Sequence, residues 1–147
     1  MTGAQAAYGL AITNSIQLAI DEINAAGGIL GATVKLSTKD DQGTPAEAVS
    51  GFNSLLSEGA SAIIGATLSS CTSAITSLAD DEGIVLVTPS STADSITTKD
   101  DYVFRSCFKD SFQGEMVAAY AKDQGWTKPP CCMRPATPTP PACTIRL

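Results

Sequence analysis

The chain contains no histidine. Ser-His and Cys-His nucleophile pairs are therefore excluded, and so are histidine-bearing metal sites. No Gly-x-Ser-x-Gly occurs either, so a serine hydrolase has neither its base nor its nucleophile turn, and enzymatic activity is not expected. No Cys-x-x-Cys is present, which leaves a zinc ribbon or a thioredoxin-type site without support. The sequence calls for no cofactor. Positive charge is scarce: nine Lys and Arg against fifteen Asp and Glu give a net charge of −6. A nucleic-acid partner needs a basic patch and is not expected. Long apolar runs are missing too. The charge-poor stretches around Ile63–Leu68 and Ile84–Val87 are far too short to span a bilayer. No basic segment followed by an apolar one opens the chain, so no signal peptide is visible, and the chain as it stands is expected to stay in the cytoplasm.

Proline is scarce up to Lys128, with only Pro45 and Pro89, whereas the last nineteen residues hold six. That closing stretch, PPCCMRPATPTPPACTIRL, also carries Cys131, Cys132 and Cys143. It has no hydrophobic period and too much proline for a helix or a central strand. Residues 1–128 thus read as one folded unit and 129–147 as a disordered Pro/Cys-rich tail.

Before the boundary, helical and strand patterns alternate. Ile12, Ile16, Ile20 and Ile23 follow helical spacing, and Gly27-Gly28 ends that helix. Ala32 to Thr38 (ATVKLST) alternates like a strand. Thr44-Pro45-Ala46-Glu47 combines an N-cap, a proline at the first helical position and the acidic member of a capping box. The helix behind it offers Val49, Phe52, Leu55 and Leu56 to the core and stops at Gly59. Residues 61–66 form a short buried strand, and one helix follows from about Ser70 to Asp81. Residues 84–88 (IVLVT) and 102–105 are strands, and Asp110 opens a last helix that Gly125 stops. Such alternation predicts an α/β fold, a parallel sheet with helices on both faces and right-handed crossovers. Ligands in such sheets bind at the carboxyl ends of strands. Ala66–Thr72 and Thr88–Thr92 are the two loops placed there.

Several stretches in order resemble the type I periplasmic binding proteins for leucine, isoleucine and valine. They are TGAQAAYG, AIDEINAAGGILG, KDDQGTPAEAV, IIGATLSSCTSA, DDEGIVLVTPSSTADS and VFRSCFKDSFQGEMVAAYA. Together they cover about residues 2–127. The resemblance implies the first lobe of a two-lobed receptor that closes on a small amino acid or amide and delivers it to the permease subunits of an ABC uptake system. It also implies a buried strand immediately before Thr2-Gly3, where this sequence has only Met1, so marginal stability is expected. The parent protein would be periplasmic or a cell-surface lipoprotein. A ligand-sensing domain of a receptor or regulator with the same fold is the alternative.

The resemblance places Ser69 beside the ligand at the start of a helix, where free N–H groups and a hydroxyl suit an amino-acid carboxylate. A simple helix cap at Ser69 or Ser70 is the alternative. Ser90, Ser91 and Thr92 would form the second contact loop, with the Ser90 carbonyl and the Thr92 hydroxyl on the ammonium. A plain solvated turn after Pro89 would look the same. Tyr8 falls where the family covers the ligand side chain with an aromatic ring; a half-exposed loop aromatic is equally open. Asp40-Asp41 reads as a solvated turn. Cys71 and Cys107 could form a disulfide in an exported protein, or remain two small buried thiols.

The break at Lys128 falls where a helix ending in Gly125-Trp126 should feed the next buried strand. Reverse translation of the tail, read from the third nucleotide of each codon, is compatible with Ala-Val-Leu-Tyr-Ala-Thr-Gly-Asp-Ala-Tyr-Ser-Thr-Gly-Leu. That is a buried strand followed by a loop resembling the family's second lobe. Residues from Pro129 are therefore expected to be a frameshifted reading.

Overall fold

The computed structural model describes residues 2–3, 5–98 and 102–126. The expected disorder and frameshift of 129–147 lie outside them. Among the described residues five α-helices, one short 3₁₀ helix (Asp94–Thr97) and three strands occur, with the α-helices and strands in the order α1 (Ala6–Ala25), α2 (Pro45–Ser57), β1 (Ala62–Ile64), α3 (Ser69–Ser73), α4 (Thr76–Glu82), β2 (Val85–Thr88), β3 (Val103–Arg105) and α5 (Asp110–Asp123). The chain divides into a unit up to Phe108 and a second unit from Lys109.

In the first unit the strands lie in the order β1-β2-β3, and both pairs are parallel. Register explains the core. Ile63 pairs with Leu86, and Leu86 with Val103, so one row of side chains crosses the sheet. All three are buried, Leu86 completely. Phe52 of α2, Cys71 of α3, and Ile75 and Ala79 around α4 close over that row. Burying one such aliphatic side chain stabilises by about 1.5–3 kcal/mol. On the opposite face Ile64, Val85 and Phe104 are exposed.

The start of α2 follows the sequence reading in part. Thr44 Oγ1 accepts from Glu47 N at 3.4 Å, with Pro45 in the first turn. The reciprocal half of the box is not needed, because Thr44 N already donates to the Asp41 carbonyl at 2.8 Å.

Two expectations change. The single helix from Ser70 to Asp81 is two helices broken at Ala74-Ile75. The cause is local: the Thr72 hydroxyl turns back to the Leu68 carbonyl at 3.2 Å and the Ala66 carbonyl at 3.1 Å, and Ile75 N bonds Thr72 O in a tighter turn. The expected strand over residues 32–38 is not a strand. Its alternation is real, but it has no ladder partner, so the only bridge there joins Ile29 to Ala32. Val34 instead pairs with the Asn24 side chain, which accepts from Val34 N at 2.8 Å and donates to Val34 O at 2.9 Å. A side-chain amide thus stands in for one residue of a neighbouring strand.

In the second unit, α5 leads into Trp126, whose ring meets Tyr120 edge-on at 6.0 Å.

Candidate functional site

The carboxyl ends of β1 and β2 carry two loops, 65–68 and 89–93, laced together by hydroxyl groups. The carbonyl of Ala66 is the centre. It accepts from Thr72 Oγ1 at 3.1 Å, Thr88 Oγ1 at 3.0 Å and Ser91 Oγ at 3.4 Å. Thr72 and Ser91 hydroxyls also meet each other at 2.6 Å. All three side chains are fully buried. Buried hydroxyls are tolerable only when satisfied, and here each is. A second pair of bonds joins the loops nearer the rim: Ser90 Oγ donates to the Thr67 carbonyl at 2.7 Å, and Ala93 N donates to Ser69 Oγ at 3.4 Å.

Arg105 fixes the far side of the second loop. Its guanidinium donates to the carbonyls of Ser91 at 3.0 Å and Ala93 at 2.9 Å, and to Thr97 Oγ1 through two nitrogens. Neither Arg105 nor the Thr72–Thr88 pair stood out in the sequence reading. An arginine inside the apolar run VFR was the available signal, since a buried guanidinium demands several acceptors.

The structure sorts the expected contact residues. Ser69 is half-buried in the first turn of α3, and the residue capping that helix is Leu68, with no side-chain bond. Ser69 therefore does not cap its helix. Its oxygen accepts from Ala93 N, while its own O–H has no acceptor among the described residues. The Thr92 hydroxyl, also half-buried, forms no hydrogen bond among them. Ser91 differs: its hydroxyl is buried, its N–H donates to Thr88 Oγ1 at 3.2 Å, and its carbonyl serves Arg105. Tyr8 sits in the first turn of α1, not in a loop, with 63% of its surface exposed. Because α3 has only five residues, its dipole is that of little more than one turn, weaker than the sequence reading assumed. The first-turn N–H groups still lack intrahelical acceptors.

Of the two alternatives left open for Cys71 and Cys107, the structure has the free thiols, with Cys107 only half-buried. Cys71 is buried, and burial pushes its thiol pKa up. Cys107 instead directs its sulfur at the Ser91 carbonyl, 3.4 Å away. Asp40 and Asp41 form the expected turn, accepting from Gln42 N at 3.0 Å and Gly43 N at 2.9 Å. The Gln42 N–H and the Thr2 hydroxyl, 2.8 Å from Asp40 Oδ2, lower the Asp40 pKa to about 2. No cluster of three metal-ligating side chains occurs among the described residues. No described helix is long and apolar enough to cross a membrane.

Residues 1–138 match the family model described as periplasmic binding protein. The Leu/Ile/Val-binding protein BraC3 of Rhizobium johnstonii is 37% identical over 121 residues, covering 82% of this chain and 33% of that protein. The leucine-, isoleucine-, valine-, threonine- and alanine-binding protein of Pseudomonas aeruginosa is 33% identical over 125 residues, covering 84% and 34%. Among solved structures, the branched-chain amino acid transporter substrate-binding protein LivJ of Streptococcus pneumoniae, in complex with isoleucine, superposes with a TM-score of 0.78. It is 40% identical and matches 84% of this chain and 36% of its own. The chain belongs to the periplasmic binding protein family, and its parallel α/β unit has that family's fold. The first two are named as amino-acid-binding proteins and the third as the substrate-binding protein of a transporter, none as an enzyme. The chain spans about a third of their length.

Proposed function

We propose that this chain carries one side of the solute site of an amino-acid receptor serving an ABC uptake system, with branched-chain amino acids as the substrate class. The observation that carries the reading is the unequal use of hydroxyls at the joined strand ends. Thr72, Thr88, Ser90 and Ser91 are consumed in holding the loops, whereas the Ser69 hydroxyl keeps a proton to donate and the Thr92 oxygen keeps lone pairs to accept. In this reading Ser69 and the first N–H groups of α3 receive the solute carboxylate. The Ser90 carbonyl and the Thr92 hydroxyl receive its ammonium. Tyr8 covers the apolar side chain. Ser91 anchors the loop from inside instead of touching solute. Export of the parent protein, docking on permease subunits, the division at Lys128 and the frameshifted tail belong to the same proposal. Resequencing the locus checks the tail: an open second frame running on past Leu147 is the expected result.

The receptor reading is tested by calorimetry with leucine, isoleucine and valine. One side of a contact shell leaves the solute largely hydrated, and enclosure sets affinity more than any single contact does. Binding by this chain should be no tighter than about millimolar, roughly −4 kcal/mol. Micromolar binding would show that these loops are a complete site and would overturn the half-site reading.

A further inference from the structure

Arg105 ends β3 directly opposite Thr88, the last residue of β2, and Ser106 N donates to the Thr88 carbonyl at 3.1 Å. That register sets the half-buried arginine at the base of the loop leaving β2. Its guanidinium spends Nη1 on the Ser91 carbonyl, Nη2 on the Ala93 carbonyl, and Nε with Nη2 on Thr97 Oγ1, at 2.9–3.1 Å. No carboxylate forms an ion pair with it among the described residues. A cation partly withdrawn from water and without a counter-ion is costly unless neutral dipoles stay aimed at it. The constraint runs both ways. While Arg105 is in place, the Ser91 and Ala93 carbonyls must face it.

Ser91 and Ala93 are two residues apart, and Ala93 is extended, with φ −55° and ψ 133°. In extended backbone the carbonyls of residues i and i+2 point one way and the groups of the residue between point the other. One guanidinium clamping both carbonyls therefore turns the Thr92 N–H and C=O away from itself. Neither forms a hydrogen bond among the described residues. The neighbouring groups are already committed: Ser91 Oγ to Thr72, Ser90 Oγ to the Thr67 carbonyl, and Ala93 N to Ser69 Oγ. The peptide joining Ser91 to Thr92 thus carries a guanidinium on its oxygen and a free N–H at its other end. A charged donor on the carbonyl polarises that N–H into a stronger donor.

We propose that Arg105 is a positioning residue of the solute site. It touches no solute and acts through the Ser91 and Ala93 carbonyls, holding the Thr92 peptide turned toward the solute with its N–H polarised. The inference rests on the receptor reading above. Fork geometry and not charge alone is what the role needs. A positive charge would attract an anion whichever way the loop pointed, whereas only a planar fork spans two carbonyls and a hydroxyl at once. A lysine ammonium is a point donor and cannot replace it.

The experiment compares the full chain with Arg105→Gln and Arg105→Lys by NMR, without and with leucine at tens of millimolar. Without solute, the residual dipolar coupling of the Thr92 N–H should change in both variants, while the couplings of residues 62–64 and 85–88 keep their values. With solute, the amides of 67–72 should still shift and those of 90–93 should not. Leucine binding should weaken by about fivefold, as the loss of one hydrogen bond would give. Thr97→Val, which removes one acceptor and keeps the arginine, should move the Thr92 coupling by a smaller amount, and it decides the matter where an Arg105 variant does not fold. An unmoved Thr92 coupling, or undiminished shifts at 90–93 in either Arg105 variant, overturns the proposal and leaves the receptor reading standing. Equal loss of shifts at both loops on an intact sheet overturns it too, since Arg105 would then act on neither loop in particular. Silence of both loops in the unchanged chain sinks the receptor reading, and the proposal falls with it.

Discussion

The two sides of β1 are finished to different degrees. Toward its carboxyl end and β2, polar groups converge: three buried hydroxyls satisfy the Ala66 carbonyl, and Arg105 ties down the next loop. Toward α1, an open cleft is lined by Ile16, Ile20 and Ile64 but also by Lys35, Lys39 and Glu58, and the backbone of residues 35–39 has no backbone partner among the described residues. The polar side is held by directional bonds within one stretch of chain, residues 66–105. The apolar side depends on buried area instead of directional bonds. The difference teaches that the geometry of strand-end loops can be specified by a few buried hydroxyls even where the sheet beside them has an open edge.

The largest effect should come from the row that both sides share. Leu86→Ala removes the fully buried centre of Ile63–Leu86–Val103 and should cost about 2–5 kcal/mol. With an open cleft nearby, loss of a cooperative thermal transition is the expected readout. A near-wild-type melt would mean that the core lies elsewhere. Next comes the polar side alone. Thr88→Val keeps the shape but deletes a donor to the Ala66 carbonyl and the acceptor of Ser91 N. A cost of about 1–3 kcal/mol follows from the groups left unsatisfied. Denaturant unfolding measures it, and faster amide exchange at Ser91 should accompany it while residues 35–39 stay unchanged. Equal disturbance of both regions would break the distinction drawn above.

The smallest effect concerns the turn where the segment 33–40 meets Thr2. The Asp40 carboxylate is held near a pKa of about 2 by Gln42 N–H and Thr2, against an ordinary value of 3.8. A depressed pKa stabilises the folded form above about pH 4, and the contribution is lost as pH falls through about 2. The Gln42 amide resonance should therefore titrate with a midpoint near 2. A midpoint near 3.8 would show that the turn does not hold the carboxylate. Asp40 is solvent-facing, so global stability should barely respond.

Which features could be read from the sequence follows the same division. The start of α2 was legible because Thr44-Pro45 marks a helix entry by local chemistry alone. β2 was legible because IVLVT is a run of strand-forming apolar residues, although Val85 within it is exposed. The segment 32–38 misled, since alternation reports a strand's faces but not whether a neighbour is there to pair with it. The break at Ala74-Ile75 was hidden because the acceptors that divert Thr72 lie in the preceding loop. The buried cluster was hidden for a similar reason: Thr72, Thr88 and Ser91 reach Ala66 across 6, 22 and 25 residues. In sequence, Thr72 falls in the expected helix, Thr88 closes the strand IVLVT and Ser91 lies in a hydroxyl-rich loop, and nothing local to any of them points to Ala66.

The central claim is that solute meets this chain at the laced strand ends and not in the apolar cleft. An NMR titration with leucine at tens of millimolar tests it most directly. The account predicts fast-exchange shifts confined to the amides of residues 67–72 and 90–93, saturating in the millimolar range and reduced by Ser69→Ala and by Thr92→Ala. Shifts centred on Ile16, Ile20 and residues 33–38 instead, indifferent to both substitutions, would contradict it.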